Sequence, residues 1–185
     1  MSDYVIRPVH SDEWEKVKEL RMTALRDPVA HLAFLEDPEQ AAAQPDEFWQ
    51  QRAARVAQGR KARQFIAEAG DGRWLGTVTL LVEEAGSTDF FEQVVEREQG
   101  HLVGVFVRPE QRGTGLTEKL FEAALEWAWS LEGPALGRVR LIVHEDNARA
   151  EAFYQRFGFV ATGVVLLTAD GDAKEREYVY GRPAL

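Results

Sequence analysis

The chain has 185 residues, 45% of them hydrophobic and 29% charged, which suits one globular domain over residues 1–185 with a sizeable core. Its net charge of −9 argues against a nucleic-acid footprint, which needs clustered Lys and Arg, and no stretch approaches the ~18 uncharged residues of a membrane span. The absence of cysteine excludes disulfides, thiolate metal sites and a cysteine nucleophile; with no apolar signal region at the N-terminus, the expected location is cytoplasmic.

In chain order, Tyr4–Pro8 reads as a short first strand. Ser11–Arg26 reads as a helix with Ser11 or Asp12 as N-cap, Trp14, Val17, Leu20 and Ala24 on one face, and Asp27-Pro28 as the stop. Residues 28–43 carry no decisive pattern. Pro45–Gln58 reads as a second helix, with Pro in its first turn and Gly59 at its exit. Arg63–Ala69 and Trp74–Glu83 flank Asp71-Gly72 as a β-hairpin. Residues 84–100 form a polar excursion, with a helical turn expected around Phe90–Val95. Leu102–Val107 is almost wholly apolar, as a strand buried on both faces would be.

A helix over Gly115–Leu131 follows, its apolar residues at helical spacing, then a strand over Arg138–Val143. Asn147–Phe157 reads as a short helix with Ala150, Phe153, Tyr154 and Phe157 on one stripe, closed by Gly158. Phe159–Leu167 and Glu175–Tyr180 form a last hairpin around Asp170-Gly171. Interleaved helices and strands imply a mixed α/β (α+β) sheet of six to seven strands flanked by about four helices.

The chemistry is concentrated in Val107-Arg-Pro-Glu-Gln-Arg112-Gly113-Thr114-Gly115-Leu116-Thr117. A buried strand ends, a glycine-bearing turn follows, and an amphipathic helix begins at once. Gly113 and Gly115 remove side chains where the first helical N–H groups point outward, an anion site suited to pyrophosphate. Such a backbone-built site is what an anionic ligand needs on an acidic protein, and Arg112 is the nearest cation. No Gly-Lys pair exists for a P-loop, and a dinucleotide fingerprint would need glycine where Glu118 stands. A nucleotide-dependent Rossmann-type protein is therefore disfavoured, while a tight turn that binds nothing is the plain alternative.

The second motif is Asn147-x-x-Ala-x-x-Phe153-Tyr154-x-x-x-Gly158-Phe159. Taken with Val-x-Pro-x-x-Arg-Gly-x-Gly at 107–115, it resembles the GNAT superfamily of N-acetyltransferases, in motif order and separation. Thr117 departs from the Gly or Ala usual at that position, which crowds the diphosphate or offers it a hydroxyl. The resemblance implies a largely antiparallel sheet in which one parallel pair, 102–107 and 138–143, splays apart around the pantetheine arm of acetyl-CoA. It further implies cofactor contacts from Val105, Phe106 and Val107, a pyrophosphate cradle over Arg112, Gly113, Thr114, Gly115, Leu116 and Thr117, and positioning by Asn147. An N–H near Val105 would polarise the acetyl carbonyl.

The implied function is direct transfer of the acetyl group to a primary amine in a ternary complex, with acetyl-CoA as co-substrate and no metal. Tyr154 occupies the family's acid position, although an aromatic in such a stripe is ordinarily core. His101 falls where family members often carry a basic Glu, and imidazole ordinarily titrates near ~6.5; a solvated strand edge is the plain alternative. His144 is a second candidate for the base, and no His-Glu-x-x-His pattern exists. The acidic residues of 83–99 would favour a cationic amine if they border the acceptor pocket, with Trp49, Phe90 and Phe91 as lining or core. A catalytically silent acyl-CoA-binding module is the alternative of a different class. A homodimer stays open, since nothing in the sequence decides the oligomeric state.

Overall fold

The computed structural model describes residues 3–168 and 170–185. Its strands are β1 (Tyr4–Pro8), β2 (Ala62–Ala69), β3 (Trp74–Glu83), β4 (Gln99–Val107), β5 (Arg138–His144), β6 (Val160–Leu167) and β7 (Lys174–Gly181). They form one sheet in the order β1-β2-β3-β4-β5-β7-β6. The helices are α1 (Trp14–Leu25), α2 (Pro38–Ala42), α3 (Asp46–Ala57), α4 (Leu116–Ser130) and α5 (Ala148–Phe157). Sequential hairpins make the first four strands antiparallel, and the crossover through α4 makes β4–β5 the parallel pair.

That pair touches briefly. β4 and β5 are in register at Gly100–Val139 and His101–Arg140. Gly100 permits the approach, because a Cβ there would lie 2.9 Å from Val139 Cγ2. Farther on, β4 leaves its partner. Thr77 faces Phe106 but Thr79 faces Val103, so Gly104 and Val105 together oppose Val78. Gly104 has φ +62°, the left-handed backbone a side chain would resist, and it makes this bulge.

Each sheet face has its own core. On one side Leu116, Leu120, Phe121 and Ala124 of α4 pack on Leu80, Leu102, Val139 and Leu141. On the other, Val17 and Leu20 of α1 and Trp49 and Ala53 of α3 pack on Ile66, Trp74 and Phe106. Phe153, Tyr154 and Phe157 of α5 gather around Phe121 with ring centroids 5.4–5.9 Å apart.

Two local expectations need correction, and one open segment is now assigned. α1 begins at Trp14, not at Ser11. Arg7 grips Glu13 through Nη2 at 2.6 Å, and the Glu13 carboxylate accepts the His10 N–H at 2.8 Å, so residues 10–13 close as a turn. The undecided 28–43 segment holds a 3₁₀ turn (Ala30–Leu32) and α2, capped by the Asp37 side chain on Glu39 N–H. The excursion after β3 has no helical turn at 90–95. Asp89 Oδ1 instead accepts from Phe91 N and Gln93 N at 2.9 and 2.8 Å, and Thr88 bridges Val94 in antiparallel fashion. An aspartate that binds its own downstream backbone competes with helix formation, and here it prevails.

Candidate active site

β4 delivers the chain through a turn at Pro109–Gln111 into Arg112, which is extended, then Gly113 and Gly115 at φ +78° and +88°. Gly115 is the N-cap of α4 and supplies no side-chain cap, so nothing from that residue covers the first helical N–H groups. The bulge, this turn and the start of α5 border a cavity of about 600 Å³.

Nine of the expected residues lie on the lining with the acid candidate: Val105, Phe106, Val107, Arg112, Gly113, Thr114, Gly115, Thr117 and Asn147, with Tyr154. Leu116 is not on it; its side chain is in the α4 core, which leaves only its backbone for a ligand. Asn147 caps α5 by accepting the Ala150 N–H at 3.3 Å, which fixes its side chain at the cavity edge. The Thr114 hydroxyl is already committed to Gln111 O at 2.6 Å.

Tyr154 stacks on Phe121 and sits edge-on to Phe153 and Phe159. Burial pushes its phenol up to about 12. It is therefore a neutral donor facing the cavity across the working pH range.

His101 is elsewhere. Its neighbours Gly100 and Leu102 face the α4 core, so strand alternation turns its imidazole to the opposite side of the sheet. There Nδ1 lies 3.5 Å from Glu83 Oε2 without hydrogen-bond geometry. Arg140 takes Glu83 with two bonds of 2.8 Å, Asp89 at 2.7 Å and Glu177 at 3.1 Å, all four side chains 3–10% exposed. Burial works to raise the Glu83 carboxyl, but the adjacent His101 and the hydrogen bonds and charge of Arg140 hold it down at about 2. Two charges of the acidic excursion, Glu83 and Asp89, are thus spent on Arg140. His144 lies at the end of β5 with Nδ1 accepting from Asp146 N at 3.1 Å.

Sequence reasoning missed Asp27, Glu118, Arg149 and Arg156, with Val29, Ala30, Ala33 and Phe34, which also line the cavity. The spacing of seven between Arg149 and Arg156 puts both on one face of α5 and was a usable signal. Asp27 had none, since it reads as a helix stop. Its Oδ2 accepts from Arg112 Nη2 at 2.6 Å. Burial works to raise its carboxyl, yet hydrogen bonds from Val29 N–H and Arg112, with the charges of Arg112 and Arg149, bring it below the usual range. The lining offers three guanidiniums against two carboxylates, with free helical N–H groups, so it suits a polyanion with an extended apolar arm. Among the described residues no group of three His, Asp or Glu could hold a metal ion, and no helix is long and apolar enough to cross a membrane.

A splayed parallel pair, a bulge at the splay and a glycine turn opening a helix are the features of an acetyltransferase-type fold. The Acetyltransferase (GNAT) family profile matches residues 14–159, and the chain belongs to that family. An acetyltransferase of the GNAT family from Streptococcus pneumoniae is similar at 19% identity over 97% of this chain and 99% of its own, with a TM-score of 0.73. NAA60 of Arabidopsis thaliana in complex with acetyl-CoA has 17% identity, coverage of 96% and 98%, and a TM-score of 0.68. Spermidine N-acetyltransferase from Vibrio cholerae in complex with CoA and spermine has 16% identity, coverage of 98% and 96%, and a TM-score of 0.68. At these identities the likeness is one of fold. A search of curated protein sequences finds no match.

Proposed function

We propose that the chain transfers the acetyl group of acetyl-CoA to a primary amine by direct attack in a ternary complex. The observation that carries this is the opening between β4 and β5, where the cavity brings together the bulge residue Val105, the uncapped start of α4 and the Tyr154 ring. The cradle of Arg112 to Thr117 receives the pyrophosphate, and the arm runs along Val105–Val107 past Asn147. The amine nitrogen bonds to the thioester carbon, the carbonyl oxygen becomes an oxyanion held by the N–H near Val105, and the C–S bond then breaks. Thiols ordinarily titrate near ~8.5, so the departing thiolate is a weaker base than a tyrosinate of about 12. Tyr154 therefore acts by donating a hydrogen bond to the sulfur, and the proton released is the one lost by the amine. For the base we keep His101 as the proposal; its imidazole lies off the cavity lining, 3.5 Å from Glu83 Oε2, so it would receive the amine's proton by relay and not by direct contact.

The test has two parts. Acetyl-CoA at 100 times its dissociation constant stabilises a protein by ~2.7 kcal/mol, so millimolar acetyl-CoA should raise the melting temperature, and an amine panel should release free thiol. An unchanged melt overturns the reading. A melt shift without thiol release for any amine favours the silent acyl-CoA-binding module.

A further inference from the structure

The α1 side of the β4 bulge carries a cation with a spare donor. Arg21 Nε donates to Glu36 Oε2 at 2.7 Å, and Arg52 Nη1 donates to Glu36 Oε1 at 3.3 Å. Two guanidiniums thus share one carboxylate. The Arg21 side chain is 18% exposed, and its guanidinium lies 4.5 Å from the ring centre of Phe34, which lines the cavity. Its Nη1 has no hydrogen-bond partner among the described residues. That nitrogen faces the bulge: a Cβ on Gly104 would lie 3.9 Å from Arg21 Nη1 and 3.8 Å from Thr79 Oγ1. Gly104 adjoins Val105, which lines the cavity; Arg21 and Thr79 do not line it themselves and stand beside it on the α1 side of β4.

Arg21 Nη1 is not among the buried nitrogens left without a partner, so it reaches solvent and is open to an incoming anion. Burial, and then Arg52, already hold the Arg21 guanidinium below its ordinary pKa, against the pull of Glu36. Charge-assisted bonds from a guanidinium to a carboxylate are among the strongest available.

We propose that Arg21, with the Thr79 hydroxyl, binds a carboxylate on the acceptor, so that the acceptor class is an amine that also carries a carboxylate, of amino-acid type, rather than a polyamine. The inference rests on the acetyltransferase reading. A polycation would meet like charge at this point of the opening. A bound zwitterion would have its carboxylate neutralised, and the guanidinium field would help its ammonium lose the proton that attack requires.

The experiment compares an amino acid, its amide and spermidine as acceptors, with rates taken per concentration of free amine so that differing amine pKa values cancel. The amino acid should exceed its amide by about tenfold or more in kcat/KM, and spermidine should be the poorest. Arg21→Gln should abolish the preference while the amide rate is kept, and Arg21→Lys should restore part of it. Thermal melts of both variants establish that they fold. A wild-type preference for the amide or spermidine overturns the proposal, as does an Arg21→Gln enzyme that slows equally on all three. A second readout separates this from failure of the transfer reading: the N-acetyl amino acid and its amide are titrated calorimetrically into the protein with CoA present. Tighter binding of the acid that Arg21→Gln removes supports the anion site even without turnover, and equal binding overturns it.

Discussion

Arg140→Met removes the single guanidinium that three buried carboxylates share, and its cost follows from the geometry. Glu83 holds it bidentately at 2.8 Å, Asp89 at 2.7 Å and Glu177 at 3.1 Å. Methionine fills much of the volume, so the loss is electrostatic. The nearest remaining cation is His101, 3.5 Å from Glu83 and then only if protonated. Breaking a buried ion pair by removing one partner costs about 3–5 kcal/mol. At about 2–4 °C per kcal/mol for a domain of this size, the melting temperature should fall by roughly 6–20 °C. The pH dependence tests the cause.

In the wild type Glu83 is held down at about 2. Its contribution is complete above the ordinary carboxylate range, near ~4.5, and is lost as pH falls from there through about 2. In the variant only His101 and the Gln99 amide still favour the ionised Glu83, so it and its neighbours take up protons at higher pH and relieve their repulsion. The gap between the two proteins should be widest at pH 7 and narrow below pH 5. Arg140→Met combined with Glu83→Gln should recover part of the loss. Urea and thermal melts at pH 7 and pH 4 read all of this. A fall of less than ~3 °C at pH 7, or an equal gap at both pH values, would refute the reasoning.

Tyr154→Phe should lower kcat by about 100-fold with acetyl-CoA affinity and melting temperature nearly unchanged, because its hydroxyl makes no hydrogen bond among the described residues and the ring still stacks on Phe121; wild-type turnover would make it a packing residue only. Glu175 is buried with Oε2 unpartnered, and burial pushes its carboxyl up against the opposing pull of His144. A raised folded-state pKa is a penalty above the ordinary carboxylate range, so Glu175→Gln should raise the melting temperature by about 2–4 °C at pH 7 and by nothing near pH 3. Asp27→Asn should tighten acetyl-CoA about 3–10-fold by calorimetry, since the carboxylate 2.6 Å from Arg112 competes with the pyrophosphate; weaker binding would mean that Asp27 serves to position Arg112.

The parts of this protein that could be read from sequence are those whose signal is local. The periodicity of α4, the Asn147 cap and Gly158 exit of α5, and the Asp71-Gly72 hairpin each write their geometry within a few residues. The glycine turn belongs with them, because φ values of +78° and +88° at Gly113 and Gly115 need residues without a Cβ. What escaped depends on partners distant in sequence. His101 read as a candidate base or a solvated strand edge, and only register shows Glu83 opposite Gln99 and His101 beside Arg140. Gly104, lodged in an apolar run, was the available mark of a bulge. Arg21 reads as one more charge on a surface helix, since nothing near it announces that Glu36, fifteen residues on, will hold it beneath Phe34. On the proposed function, the cofactor side would be built from backbone and glycine, and the acceptor side from charges that only tertiary structure brings together. Cofactor identity is therefore legible where acceptor identity is not.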